Sequence, residues 1–206
     1  MLTATAVTAP ASTYDLTVLA TVRGELGLTD RAEDENLARW IKQASGVIAK
    51  YCNRVFAQET LSDTFRLKWR ECEETLVLSR FPVSSIVSIL ENYATLDPTS
   101  DYELSPLSGA ITRLHCDRPW HWYYGKVTVT YVAGYASVND LPFEIQRAAV
   151  LLVKSYREMV DREAFLRSED VPGVRSVSYQ DVPMGFDFPP EVLSLLENSR
   201  KPAGQG

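Results

Sequence analysis

The residues best equipped for chemistry lie in one run, His115-Cys116-Asp117-Arg118-Pro119-Trp120-His121-Trp122-Tyr123-Tyr124, which holds both histidines of the chain. His115, Cys116 and His121, with Cys72 from an earlier turn, supply the atom types of a four-ligand zinc site. The spacing argues against it. Neighbouring residues on a strand face opposite ways, so His115 and Cys116 do not converge on one ion. The run also contains four aromatic rings, which suit stacking against sugars or bases. Base stacking goes with a positive groove, and the neighbourhood offers only Arg113, Arg118 and Lys126. The alternative is a hairpin whose rings cover a sheet edge or meet a neighbouring subunit through Trp120, Trp122 and Tyr123.

Carboxylates pair at Glu33/Glu35 and at Glu71/Glu74. The first pair falls in the opening turn of a predicted helix, where it complements the dipole. The second falls in a charged turn. A glycosidase places two isolated carboxylates across a cleft, and nothing in this spacing requires that. A Ser–His or Cys–His couple has no support beyond the presence of the residue types. There is no P-loop, no GxGxxG and no HExxH, and Gly134-Tyr135-Ala136 lacks the further glycines of a phosphate cradle. The expectation is a protein without a catalytic set, without a metal and without a cofactor.

Cys52, Cys72 and Cys116 are odd in number and lack CxxC spacing, which favours reduced thiols. The chain has 206 residues, 45% hydrophobic and 23% charged, with a net charge of −6. Proteins that grip nucleic acid by its backbone carry a basic excess. A mildly acidic surface instead lets a polyanion pass without sticking. No run of eighteen apolar residues is present, so no membrane span is expected. Residues 1–15 begin small and uncharged, unlike a signal peptide, and read as a flexible lead-in.

The elements that must position these residues follow from periodicity. Residues 18–28 form a short helix with Leu19, Val22 and Leu26 inward. A second helix over 33–53 buries Leu37, Ile41, Ala44, Ile48 and Tyr51, with Trp40 and Val47 beside them, and the two make an αα-hairpin. From residue 57 the period changes to two. Strands are predicted over 59–68, 75–79, 83–92, 101–104, 110–114 and 126–133, separated by turn signals such as Phe81-Pro82 and Ser108-Gly109. The longest helical pattern spans 141–162, with Pro142 at its start, Asp140 as cap, and one apolar face through Ile145, Ala148, Ala149, Leu152, Val153, Tyr156, Met159 and Val160.

After that helix, 163–188 has no helical period yet is rich in apolar residues, and 175–179 alternates like a strand. Long structureless stretches in compact domains are uncommon unless functional. The expectation is a partner-seeking arm over 163–206, with Val174, Val177, Tyr179, Phe186, Phe188, Leu195 and Leu196 as contact residues and a short helix at 190–199. Strand addition to a neighbour's sheet is an economical use of such a segment; wrapping its own sheet is the other. The whole reads as an α+β chain. A single domain over 16–162 contains a small helical bundle, the αα-hairpin plus the long C-terminal helix. An antiparallel β-sheet is inserted at about 57–134, and the extended C-terminal arm follows.

This order of elements resembles the head–tail connector (adaptor) family of long-tailed phages and phage-derived particles, over about 16–200. The resemblance is carried by Leu16-Thr-Val-Leu-Ala-Thr-Val-Arg-Gly-Glu-Leu-Gly-Leu28 and by the helix from Glu35 ending at Tyr51-Cys-Asn-Arg54. It continues in Leu76-Val-Leu-Ser-Arg-Phe-Pro-Val-Ser-Ser-Ile86, in Val127-Thr-Val-Thr-Tyr-Val-Ala-Gly-Tyr135 followed by Leu141-Pro142 and Ala148-Ala149, and in Val171-Pro-Gly-Val-Arg-Ser-Val-Ser-Tyr179. The 116–124 loop is longer and more aromatic than the family pattern. The resemblance implies a structural virion protein of the neck, assembled in the host cytoplasm. It implies a ring, dodecameric in that family, beneath the portal protein, which extends the DNA channel without sequence-specific binding and docks the next neck or stopper protein. It also implies that the segment after the long helix reaches the portal. The competing expectations are a carbohydrate-binding or hydrolytic module using loop 119–124, and a different neck component such as a stopper or tail-completion protein.

Overall fold

The computed structural model describes residues 2–69, 72–160, 168–171, 175–178 and 188–201. The chain forms two compact units. One gathers Met1–Tyr14, Asn53–Leu141 and Lys201–Gly206, and the other Asp15–Cys52 and Pro142–Arg200. Residues 16–162 therefore contribute to both units.

The first unit is all β. Its strands are β1 (Leu2–Ala9), β2 (Glu59–Leu67), β3 (Thr75–Val77), β4 (Val83–Glu91), β5 (Ala94–Thr95), β6 (Tyr102–Ser105), β7 (Ala110–His115), β8 (Arg118–Trp120) and β9 (Gly125–Ala133). The single inserted sheet expected from the sequence is two sheets. The larger has the order β1-β2-β9-β4-β5, antiparallel throughout. The smaller has the order β3-β7-β6, and β8 pairs with β7 beyond β3. Residues from both sheets share one core, including Leu61, Phe65, Leu76, Ile89, Ile111, Val127, Val129 and Tyr131. The alternation of β9 explains its place: Val127, Val129, Tyr131 and Ala133 are buried while the residues between them are not. Leu2–Ala9, expected as a loose lead-in, is a strand on β2. Its threonines and Val7 suit an extended backbone, but the apolar positions that alternate with them are mostly alanines, too small to mark a buried face.

Gly134 ends β9 at φ +102°, and a Cβ there would run into the backbone of Ala57 and Gln58. Only glycine allows the two segments to approach so closely. Their approach is fixed by Tyr135 N donating to Phe56 O at 2.8 Å and Gln58 N donating to Tyr135 O at 3.1 Å.

The second unit is helical, with α1 (Leu19–Leu26), α2 (Asp34–Tyr51), α3 (Phe143–Val160) and α4 (Pro190–Leu196), plus a hairpin of β10 (Ser168–Val171) and β11 (Arg175–Ser178). The protein is thus α+β, with four helices and antiparallel sheets among the described residues. Gly27, left-handed at φ +65°, closes α1 by donating its N–H to the last turn. The α2 stripe buries Leu37, Ile41, Ala44, Ser45 and Ile48. The α3 face buries Ile145, Ala148, Ala149, Leu152 and Val153 as its period predicts, and Val150 in addition. The stripe fades at its end, where Met159 and Val160 are exposed. Asp140 does not cap α3. It closes a capping box with Ser137 on the preceding 3-10 turn, accepting from Ser137 N at 3.0 Å and Ser137 Oγ at 2.9 Å.

Salt bridges tie α3 to its neighbours. Arg157 meets Glu33 through two nitrogens, at 2.7 and 2.8 Å, and Arg147 meets Glu25 at 2.8 Å. The guanidinium of Arg157 holds the Glu33 carboxyl below its ordinary range. Burial pushes the Tyr156 phenol up.

Candidate docking surfaces

At one end of the larger sheet the ends of β2, β4 and β9 meet, and exposed aromatic residues stand there. Glu91 pairs with Val127, and Leu67 with Gly125, so the turns beyond them lie at the same end. Asn92 and Tyr93, both left-handed at φ 48° and 73°, make the two-residue turn from β4 to β5. Asn92 locks this turn to β9. Its Oδ1 accepts from Lys126 N at 2.9 Å, and its own N–H donates to Lys126 O at 2.9 Å. A side chain on Gly125 would collide with the Asn92 amide. The turn therefore holds Tyr93 out, at 92% exposure. Nearby, the exposed ring of Trp69 lies 4.5 Å from that of Tyr124.

The smaller sheet supplies a second aromatic group. Cys116 and Asp117, at φ 50° and 59°, form the tight turn between β7 and β8. That turn brings His115 within 5.4 Å of Trp120, and Trp120 lies 6.2 Å from Tyr123. Trp120 and Tyr123 are exposed. Trp122 is not. It is fully buried in the β core and donates its indole N–H to Ile111 O at 3.3 Å. The reading of Trp122 as a surface contact is corrected: it lies past the end of β8, where the chain bridges to Glu73, and its ring enters the core. Beneath both aromatic groups, Arg113 binds Glu91 at 3.2 Å and donates to Asp101 O at 2.6 Å and Leu114 O at 2.8 Å.

The expected arm residues divide. Val174, Tyr179 and Phe186 lie outside the described residues, and Val177 is a backbone position of β11. Phe188 and Leu196 are buried and Leu195 is half-buried. Phe188 packs edge-on against Tyr51 at 4.9 Å, and Arg200 lies over the same Tyr51 ring at 5.3 Å. Phe188 and Leu196 therefore serve the helical unit and are not free to meet a partner. Their hydrophobicity gave no sign of which surface they would cover.

A buried carboxylate network joins the two sheets: Asp63 accepts from Ser79 N at 2.7 Å, Ser79 Oγ at 3.0 Å and Tyr131 Oη at 2.8 Å. Neither periodicity nor motif picked out this trio; a lone aspartate on the inward phase of a strand was the only signal. Lys201 donates to Ser79 O at 3.2 Å, and burial lowers the affinity of its amine for a proton. Among the described residues no group of three or more histidine, cysteine, aspartate or glutamate side chains is placed to hold a metal, and no helix is long and apolar enough to cross a membrane.

Comparison with known proteins places this fold. Among the solved chains similar to it, three match over nearly their whole length. One comes from the neck of an empty GTA particle computed with C6 symmetry (20% identity, 99% of this chain and 98% of that one, TM-score 0.59). A second comes from the neck of a native GTA particle computed with C12 symmetry (19% identity, 100% and 98%, TM-score 0.57). The third comes from the virion of a native gene transfer agent particle (18% identity, 99% and 98%, TM-score 0.59). At these identities the likeness is one of fold. No curated protein matches the chain. A family model described as head completion protein (HCP) matches residues 15–202, across both units. The chain belongs to the head completion protein family.

Proposed function

We propose that this protein is a structural component of the neck of a phage-like particle, an adaptor that assembles as a ring under the portal. The ring extends the DNA channel and offers its far face to the next neck or tail component. The observation that carries the reading is the family match over 15–202. It is supported by the fold likeness to chains from necks computed with C6 and C12 symmetry. A ring of twelve copies is the stoichiometry this favours. The role is structural rather than enzymatic, in keeping with the family.

The physical features fit a conduit. A net charge of −6 disfavours tight capture of a polyanion in transit. The exposed rings of Trp69, Tyr93, Trp120, Tyr123 and Tyr124 give one end of the β unit the aromatic character of a protein interface. In this reading that end meets another protein of the neck, and residues 163–187 reach the portal. The test is removal of the protein from a particle-producing system. Full heads and separate tails are expected, joined again when purified protein is added to the heads. Joined, infectious particles formed without it would contradict the reading.

A further inference from the structure

The larger sheet ends in two edges of matching character. On one side, β1 pairs with β2 alone among the described residues, and residues 4–9 are exposed. On the other side, β5 covers only Leu90 and Glu91 of β4. Val83 N and Ile89 O find partners in Pro106 and Leu96, which leaves residues 84–88 without a backbone neighbour on their outer side among the described residues. Open edges are normally guarded by charge. Here neither Leu2–Ala9 nor residues 83–90 contains a charged residue, in a chain that is 23% charged.

The two edges also fit one another. Three antiparallel steps separate β1 from β4, so the two strands run in opposite directions. If a second copy continues the sheet in the same orientation, its β4 meets the first copy's β1 antiparallel, and the alternation of the sheet carries on across the joint. The open stretches lie level along the strands. Thr5 is in register with Asp63, Val129 and Ile89, and Val7 with Leu61, Tyr131 and Ile86. Both edge strands carry bulges, between Leu2/Ala4 and Val7/Ala9 in β1 and between Val83/Ser85 and Ile86/Ser88 in β4. Bulges bend and twist a strand, and a sheet continued around a closed ring must curve.

We propose that the open edge of β1 in one copy pairs antiparallel with residues 84–88 of the next copy, joining the five-stranded sheets of the assembly into one. The contact is head-to-tail, which closes only as a ring and leaves no edge exposed once closed. This inference rests on the ring reading above and specifies the joint.

Disulfide trapping tests it in the full chain, with the exposed Cys72 and Cys116 replaced by serine. One preparation carries Thr5→Cys. Three others carry Ser84→Cys, Ser85→Cys or Val87→Cys, which samples both faces of β4 and a slip in register. Under oxidation, Thr5→Cys mixed with at least one β4 variant is expected to give a cross-linked dimer, whereas Thr5→Cys alone gives none. Both substitutions in one chain should give a ladder of multimers. Hydrogen exchange supplies a second readout: amides in residues 4–9 and 84–88 should exchange at least tenfold more slowly in the ring than in the free chain. Thr5-to-Thr5 dimers, or rings seen by electron microscopy with no cross-link and unprotected edges, overturn the joint while leaving the neck role standing. A chain that forms no ring with or without portal overturns the ring reading itself.

Discussion

Tyr131 of β9 donates its hydroxyl to Asp63 of β2 at 2.8 Å, inside the core that the two sheets share. The same carboxylate takes the backbone N–H and the hydroxyl of Ser79, and Tyr131 Oη accepts from Arg80 N at 3.2 Å. The pair therefore fastens the 79–80 segment, which leads from the smaller sheet into β4, to the middle of the larger sheet. A buried charge persists only when its lone pairs are satisfied, and here three donors satisfy it.

Asp63→Ala removes the acceptor and strands those donors. It should lower stability by about 3 kcal/mol. Tyr131→Phe leaves Ser79 in place and should cost about 1–2 kcal/mol. Urea unfolding midpoints at neutral pH compare the two. Equal and negligible losses would mean the network does not hold the sheets.

Burial lifts the Tyr131 phenol far above its ordinary value of 10.0. A group whose folded pKa is raised stabilises the fold fully below the unfolded pKa, and this stabilisation is lost as pH rises through the folded pKa. Stability should therefore fall above about pH 10, and Tyr131→Phe should flatten that fall. Thermal unfolding between neutral and strongly alkaline pH measures it.

Glu33 shows the opposite sign. Its carboxyl is held below its ordinary value by Arg157, so its contribution is present above the unfolded pKa and lost as pH falls through the folded one. Glu33→Gln should reduce the acid sensitivity of the helical unit while leaving its alkaline limb unchanged. Circular dichroism at the helical band during an acid titration distinguishes the two limbs.

Two glycines should respond in opposite directions. Gly134→Ala meets the Ala57 backbone at positive φ and should cost about 2–3 kcal/mol. Gly24 lies in α1 with open space where a Cβ would go, so Gly24→Ala should add about 0.5–1 kcal/mol. Denaturant midpoints check both.

The two tryptophans of the aromatic hairpin should separate stability from assembly. Trp122→Ala should cost about 3–5 kcal/mol, as for other fully buried large side chains. Trp120→Ala with Tyr123→Ala should change stability by no more than about 0.5 kcal/mol but weaken joining of heads to tails. Deleting 163–187 should likewise spare the fold and impair portal binding. Truncation after Arg162 also removes Phe188, Val192 and Leu196, which are buried, and should destabilise the helical unit.

Much of this fold is legible in the sequence because the signals are periodic. The α2 and α3 stripes and the alternation of β9 mark their buried faces almost residue by residue. What periodicity cannot report is partnership. Leu2–Ala9 carries no strand signal until β2 is there to pair with it. One sheet and two sheets give the same alternation, and the crossings between them, in the connections β2–β3, β3–β4, β5–β6 and β8–β9, leave no mark on it. Trp120 and Trp122 have the same chemistry and stand two positions apart, which a continuous strand would turn to one face; β8 ends at Trp120, and Trp122 instead bridges to Glu73 with its ring in the core. Phe188 and Leu196 fill the helical unit, although their composition suits a partner's surface equally well. The family resemblance extends over both units because the order of elements, not any motif, carries it.

The most direct measurement is the mass and symmetry of the species this protein forms with and without portal, by native mass spectrometry and electron microscopy. A closed ring seated on the portal, with twelve copies per ring, is the expected result. A protein that stays monomeric at every concentration and leaves the portal unoccupied would contradict it.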